Sequence, residues 1–178
     1  MGLASLFRRP PYERAGFHLY GAAVSAAREP RPYVEWGVPD TTAGRFELVS
    51  LHAALLIRRL NAEGGEPGKS LAQAVFDAMF SDMDVNLREM GVGDLGVGKR
   101  VKKLWEGFHG RARAYQEALD GGDDAALREA LGRNVWAGHA PLEGAVEALA
   151  AHVHRVAGAL AGQGMEAFVR GEAAFPAP

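Results

Sequence analysis

The run GVGDLGVGKR, Gly91 to Arg100, satisfies two phosphate-binding patterns at once. Gly91, Gly93 and Gly96 spell G-x-G-x-x-G, and Gly93 to Lys99 spells G-x-x-x-x-G-K. Loops of this kind hold phosphate on backbone N–H groups, provided they follow a β-strand and open a helix. Here a long amphipathic helical pattern precedes the glycines instead. Arg100 stands where a P-loop needs Ser or Thr to ligate magnesium. The dinucleotide pattern also wants an acid about twenty positions on, and Asp120, near that distance, closes a helix rather than a strand. The run therefore reads as a helix stop at Gly91 and a capping Asp94, with glycines 96 and 98 allowing two helices to approach closely. Four glycines next to KRVKK exceed what a plain helical hairpin needs, so a shaped basic surface is expected there as well.

Other residue sets fall short of the chemistry their types could perform. Asp77, Asp82, Asp84 and Glu89 fall on the helix before the glycines, with Asp77 and Asp84 in one row. Di-metal sites in helical bundles require Glu-x-x-His pairs, and none of His18, His52, His109, His139, His152 or His154 has that spacing. His152 and His154, two apart, point to opposite sides of a helix. A solvated acidic face, or one paired with Arg100, Lys102 and Lys103, is expected rather than a metal site. No G-x-S-x-G elbow marks a serine nucleophile, and the absence of cysteine removes thiolate chemistry and disulfides. No catalytic residue and no cofactor is assigned.

Two further readings stay open on residues alone. The stretch KRVKKLWEGFHGRAR interleaves cations with aromatics, as RNA-binding helices do. A ribosome or RNA contact would use Lys99 to Lys103 and Arg111, although Trp105 and Phe108 lie close enough to the Leu104–Tyr115 stripe to read as core. A haem-binding bundle would need His109 or His152 as axial ligand. DNA is not implied.

The whole chain bounds these choices. It has 178 residues, 48% hydrophobic and 24% charged, with a formal net charge of −2. That composition suits an ordinary globular protein with a real core and gives no global pull toward nucleic acid or anionic lipid. No apolar run approaches the ~18 residues of a membrane span. The start, MGLASLFRRPPYERAG, has too few apolar residues before Arg8 and Arg9 for a secretory signal. It reads as a frayed terminus, with a weak surface anchor or a remnant transit peptide as alternatives.

The elements that would position these residues are helical almost throughout. Pro10 and Pro11 precede a helix of about Tyr12 to Ala27, with Phe17, Tyr20 and Val24 on one stripe. In REPRPYVEWGVPDTTAG, Pro30, Pro32 and Pro39 predict irregular, extended backbone. Its Tyr33, Val34, Trp36 and Val38 either cover the bundle or rim a groove for a partner. Thr41 or Thr42 caps a second helix carrying Phe46, Val49, Ala53, Leu56 and Leu60. Ser70 is the expected cap of a third, Leu71 to Met90, whose wide stripe (Leu71, Val75, Phe76, Ala78, Phe80, Met83, Leu87, Met90) predicts a central position. Val97 to Leu119 marks a fourth helix. Asp123 and Asp124 open a short fifth, and Leu142, Val146, Leu149, Val153, Val156 and Leu160 mark a sixth. The last fifteen residues, rich in Gly and Pro, read as loosely attached. The expectation is an all-α, single-domain bundle of about six helices with an irregular proline-rich segment between the first two, spanning 1–178 with its core at about 12–162.

Three segments, YVEWGVPDTTAGRFELVSLH, LAQAVFDAMFSDMDVNLREMGVGDLGVGKRVKK and ALGRNVW, resemble the ubiquinol–cytochrome c chaperone family. The likeness covers roughly Tyr33 to Trp136 and is most specific from Phe76 to Lys103. The sequence departs from the family pattern at Gly96, where Ser or a similar residue is usual, and at Trp136, where Tyr is usual. The resemblance implies an all-α protein that is not an enzyme and that holds newly made cytochrome b during assembly of the bc1 complex. It implies further contacts with the ribosome near the tunnel exit and with a small partner protein, as in mitochondrial relatives. The short leader suggests a bacterial protein, in the cytoplasm or peripheral at the cytoplasmic membrane face, the matrix side being the eukaryotic equivalent. On that reading Asp77, Asp82, Asp84, Asp94, Lys99, Arg100 and Lys103 are expected as polar partner contacts, and Tyr33 and Trp36 as apolar ones.

Overall fold

Local chemistry sets where the helices start and stop. Thr41 Oγ1 accepts the Gly44 N–H at 3.1 Å and Asp123 accepts the Ala126 N–H at 2.9 Å, so two helix starts are capped by side chains. Ser70 does not cap; it lies inside a helix that begins after Pro67 with no side-chain cap. The structure, a computed structural model, describes residues 12–63, 65–136 and 138–178. The N-terminal stretch discussed above, through Pro11, lies outside them.

Six substantial helices and two short ones follow in order: α1 (Glu13–Ala27), α2 (Arg31–Val34), α3 (Thr42–Ala62), α4 (Gly68–Glu89), α5 (Asp94–Gly121), α6 (Asp124–Val135), α7 (Ala145–Ala161) and α8 (Met165–Val169). The described residues contain no strand. None of their helices is long and apolar enough to cross a membrane.

The centre of the bundle is α3 rather than α4. It packs against α1, α4, α5, α6 and α7. Its buried residues exceed one stripe: Leu48, Leu51, Leu55, Leu56 and Leu60 are joined by Ala53, Ala54 and the polar Glu47, Ser50 and His52. A helix apolar on several sides belongs inside. On α1 the buried stripe is Ala15, Leu19, Tyr20 and Ala23, so Phe17 faces outward. Gly16 allows α1 to lie tightly on α4: a Cβ there would come within 2.6 Å of Ala74. Met90 and Leu142, assigned to apolar stripes by spacing, lie beyond the ends of their helices and are exposed.

The proline-rich segment corrects a second expectation. Pro30 has helical angles and Pro32 sits in the first turn of α2. Proline is tolerated there because first-turn N–H groups have no intrahelical partner to lose. The segment packs down: Tyr33 Oη donates to the Ala27 carbonyl at 2.7 Å, and the Trp136 indole N–H donates to the Trp36 carbonyl at 3.0 Å. Trp36 and Val38 are buried.

The C-terminal residues are not loosely attached. Phe168 of α8 is fully buried, and the Arg59 guanidinium lies 5.4 Å from its ring centroid. Gln163 exchanges two hydrogen bonds of 2.8 Å with the Ala174 backbone, and Arg31 donates to the Pro178 carbonyl at 2.7 Å. Phe175 meets the His52 ring edge-on at 5.7 Å.

Candidate functional site

The α4–α5 hairpin carries most of the residues singled out by sequence. Leu87 to Val92 closes it by a Schellman turn: the Gly91 N–H donates to the Arg88 carbonyl at 2.9 Å and the Val92 N–H to the Leu87 carbonyl at 3.1 Å. Gly91 has φ +79°, the left-handed region that favours glycine. The glycine run thus follows a helix, and the strand that a phosphate loop requires is absent. Gly93 is the N-terminal boundary of α5 and Asp94 its first residue, so Asp94 does not cap. Gly96 and Gly98 do not serve a close helix crossing either. A Cβ on Gly96 would meet only the Val92 side chain, and one on Gly98 would meet nothing.

Charge at this tip is arranged around Arg88. Its guanidinium donates to Asp84 at 2.6 Å and also to Asp94, joining the end of α4 to the start of α5. The two carboxylates raise the Arg88 pKa further, so its guanidinium stays charged. Asp82, exposed, accepts the Tyr20 hydroxyl at 2.8 Å, and burial together with that bond pushes the phenol up. Asp77, also exposed, accepts from Gln73 at 2.7 Å.

Of the two alternatives for these acids, pairing with Arg100, Lys102 and Lys103 is not seen among the described residues. Lys99, Arg100 and Lys103 are exposed, with no carboxylate in ion-pair range among the described residues, and Lys102 reaches only Glu106 of its own helix at 3.9 Å. Arg88 has already taken Asp84 and Asp94. Exposed apolar side chains accompany the charges: Leu95 is 90% exposed, Met90 56% and Val85 49%. Of the two apolar candidates, Trp36 is 6% exposed and serves the core, so it cannot touch a partner. Tyr33 is half-buried, its hydroxyl turned to the backbone.

These positions, on an all-α frame with a buried proline segment and a charged hairpin, coincide with the part of the chain that matches known proteins. The sequence matches the family described as "Ubiquinol-cytochrome C chaperone" over residues 34–175. The chain belongs to that family. Ubiquinol–cytochrome c reductase complex assembly factor 1 of Drosophila melanogaster is 29% identical over 106 residues, 57% of this chain and 40% of that protein. The assembly factor of the same name from Xenopus laevis is 24% identical, covering 68% of this chain and 60% of its own length. The chain therefore spans about half the length of these curated relatives. A crystal structure of the Cbp3 homolog from Brucella abortus superposes with TM-score 0.81 at 39% identity, covering 98% of this chain and 97% of that one.

In this member of the ubiquinol–cytochrome c chaperone family, two buried polar pairs escaped sequence reasoning. Glu47 and Arg111 join α3 to α5 at 2.6 Å, with Glu47 Oε2 and Arg111 Nη1 otherwise unpartnered. Burial outweighs the attraction of Arg111 and pushes the Glu47 carboxyl up to about 7. His52 of α3 and His152 of α7 meet at 3.4 Å between Nε2 atoms. His52 Nδ1 lies 2.8 Å from the Leu48 carbonyl, so it carries the proton and its Nε2 accepts from His152. His152 Nδ1 is left without a partner. Burial, followed by His52 and Arg155, lowers the His152 pKa to about 4. His152, 1% exposed and turned to His52, cannot serve as an open axial ligand for haem. His109 packs edge-on against Trp105 at 4.1 Å, on the rim of a groove of about 540 Å³ between α3, α4 and α5. Trp105 is half exposed there rather than core. The only hint of the histidine pair was that both residues fall beside apolar stripes; nothing in the sequence links positions 100 residues apart.

Proposed function

We propose that this chain is a non-catalytic chaperone that binds newly made cytochrome b and promotes assembly of ubiquinol–cytochrome c reductase. The observation that carries the reading is family membership over residues 34–175, and the likeness to the Brucella protein at 39% identity supports it. The names of the relatives speak of complex assembly; cytochrome b as the client is our inference.

The geometry supports a binding rather than a reacting surface. Its polar groups are held as recognition elements: Arg88 pairs with Asp84 and Asp94, and Asp77 and Asp82 are hydrogen-bonded by Gln73 and Tyr20 while staying exposed. Lys99, Arg100 and Lys103 add unpaired positive charge beside them. Acids and cations so placed suit the polar loops of a membrane protein, with the groove beside Phe76 and Trp105 offering apolar purchase. Tyr33, its hydroxyl on the Ala27 carbonyl, steadies the proline-rich segment. Contact with the ribosome would let the hairpin meet the client as it emerges, at the membrane face where the client inserts.

Deleting the protein is expected to lower assembled bc1 complex while leaving cytochrome b mRNA intact, measured by native gel electrophoresis and transcript quantification. Normal bc1 levels in the deletion strain would overturn the reading.

A further inference from the structure

We infer that the outward face of α5 is a docking surface for an anionic phospholipid bilayer, with Leu95 as its apolar insert. Leu95, Lys99 and Lys102 recur at spacings of four and three, opposite the inward Val97, Leu104, Phe108 and Tyr115. Lys103 lies beside that stripe, and Arg100 adds exposed charge in the same turns. Leu95 is 90% exposed, and Met90 and Val85 are exposed at the same end of the hairpin. Aliphatic groups set among cations match the two requirements of interfacial binding: apolar burial and attraction to anionic headgroups.

The nearby acids do not cancel this charge. Asp94 is held by Arg88, and Glu106 approaches only Lys102, at 3.9 Å. On α5 itself Lys99, Arg100, Lys102 and Lys103 face a single acid within residues 99–106, Glu106, so this helix face carries net positive charge on a chain whose formal net charge is −2. Lipid fits better than RNA because the exposed apolar groups at the cation end of the hairpin, Leu95, Met90 and Val85, are aliphatic and give a base nothing to stack on. Trp105, further along α5, is engaged in edge contact with His109 on the rim of the groove. The inference rests on the proposed function only in placing the chain beside a membrane client.

Flotation of the purified full chain tests it, with phosphatidylcholine vesicles and with vesicles of phosphatidylcholine mixed with phosphatidylglycerol. The chain is expected to float with the mixed vesicles only, and to be released by high salt. The triple variant Lys99→Ala, Arg100→Ala, Lys103→Ala removes exposed, unpaired side chains and should melt like the wild type. At roughly fivefold per basic residue near the surface, it should bind on the order of a hundredfold more weakly. Leu95→Ser should weaken binding on the order of tenfold and leave binding of a short single-stranded RNA unchanged. Failure to float with mixed vesicles, equal flotation with both, or variants that float like the wild type would each overturn the proposal. RNA binding lost in the triple variant without vesicle binding would assign the face to RNA instead. Because no client is present, failure here is separate from failure of the assembly role.

Discussion

Phe168→Ala provides a sharp test of how the C-terminal residues are held. Phe168 is fully buried, in a segment whose Gly, Ala and Pro content reads as loose. Truncating a buried Phe costs about 3–5 kcal/mol, through lost transfer energy and the cavity left behind. The guanidinium of Arg59 over the ring, at 5.4 Å, places the cost toward the upper part of that range. Arg59 cannot follow the vacated space, because it also donates to the Leu160 and Gln163 carbonyls at 3.1 and 2.9 Å. For a chain of this size, roughly 2–4 °C is lost per kcal/mol, which makes the fall in Tm about 6–20 °C. Urea unfolding followed by far-UV circular dichroism measures the free energy, with the m value expected to stay constant. Val169→Ala, at a neighbouring, more exposed site, is the control and should cost far less. A loss below about 1 kcal/mol for Phe168→Ala would mean that α8 is not part of the core, and the packing argument would fail.

Other predictions follow from single contacts. Gly98→Ala should stabilise by about 0.5–1 kcal/mol, because position 98 is helical with open space around it; destabilisation would restore a packing role for that glycine. Gly91→Ala should cost about 1–2 kcal/mol, since φ is +79°, and unchanged urea midpoints would refute the Schellman turn. Arg111→Met strands Glu47 and should cost about 3–5 kcal/mol at pH 8, with less lost near pH 5, where the buried carboxyl is protonated. His152 has a folded pKa lowered to about 4 against about 6.5 unfolded, so its stabilising contribution is complete above pH 6.5 and is lost as pH falls toward 4. The stability gap between wild type and His152→Gln should therefore shrink from pH 7.5 to pH 5, and a pH-independent gap would contradict the buried neutral pair.

Much of the frame was legible because amphipathic spacing survives in single helices. Val97, Phe108 and Tyr115 fixed the inward face of α5, Thr41 announced the start of α3, and Gly91 announced the end of α4. What a one-dimensional pattern cannot carry is which helices meet. The Gly16–Ala74 crossing, the Glu47–Arg111 bridge and the His52–His152 contact each join distant segments, and none has a local signature. Phe168 was hidden by its neighbours, since two phenylalanines seven apart among small residues, glycine and proline set no helical stripe. At the hairpin the charged residues were visible, but their pairing was not. Arg88, on the same helix as Asp84, captured both Asp84 and Asp94, and Lys99, Arg100 and Lys103 of α5 have no carboxylate in ion-pair range among the described residues.

The most direct test of the chaperone reading is photocrosslinking during synthesis of cytochrome b. A photoreactive residue would be placed at Asp82 or Asp94 on the hairpin, and at Glu147 on α7 as a control. Adducts with cytochrome b from the two hairpin positions, and not from position 147, are the predicted result. Adducts absent from both hairpin positions, or equally abundant from the control, would contradict the assignment of this surface to the client.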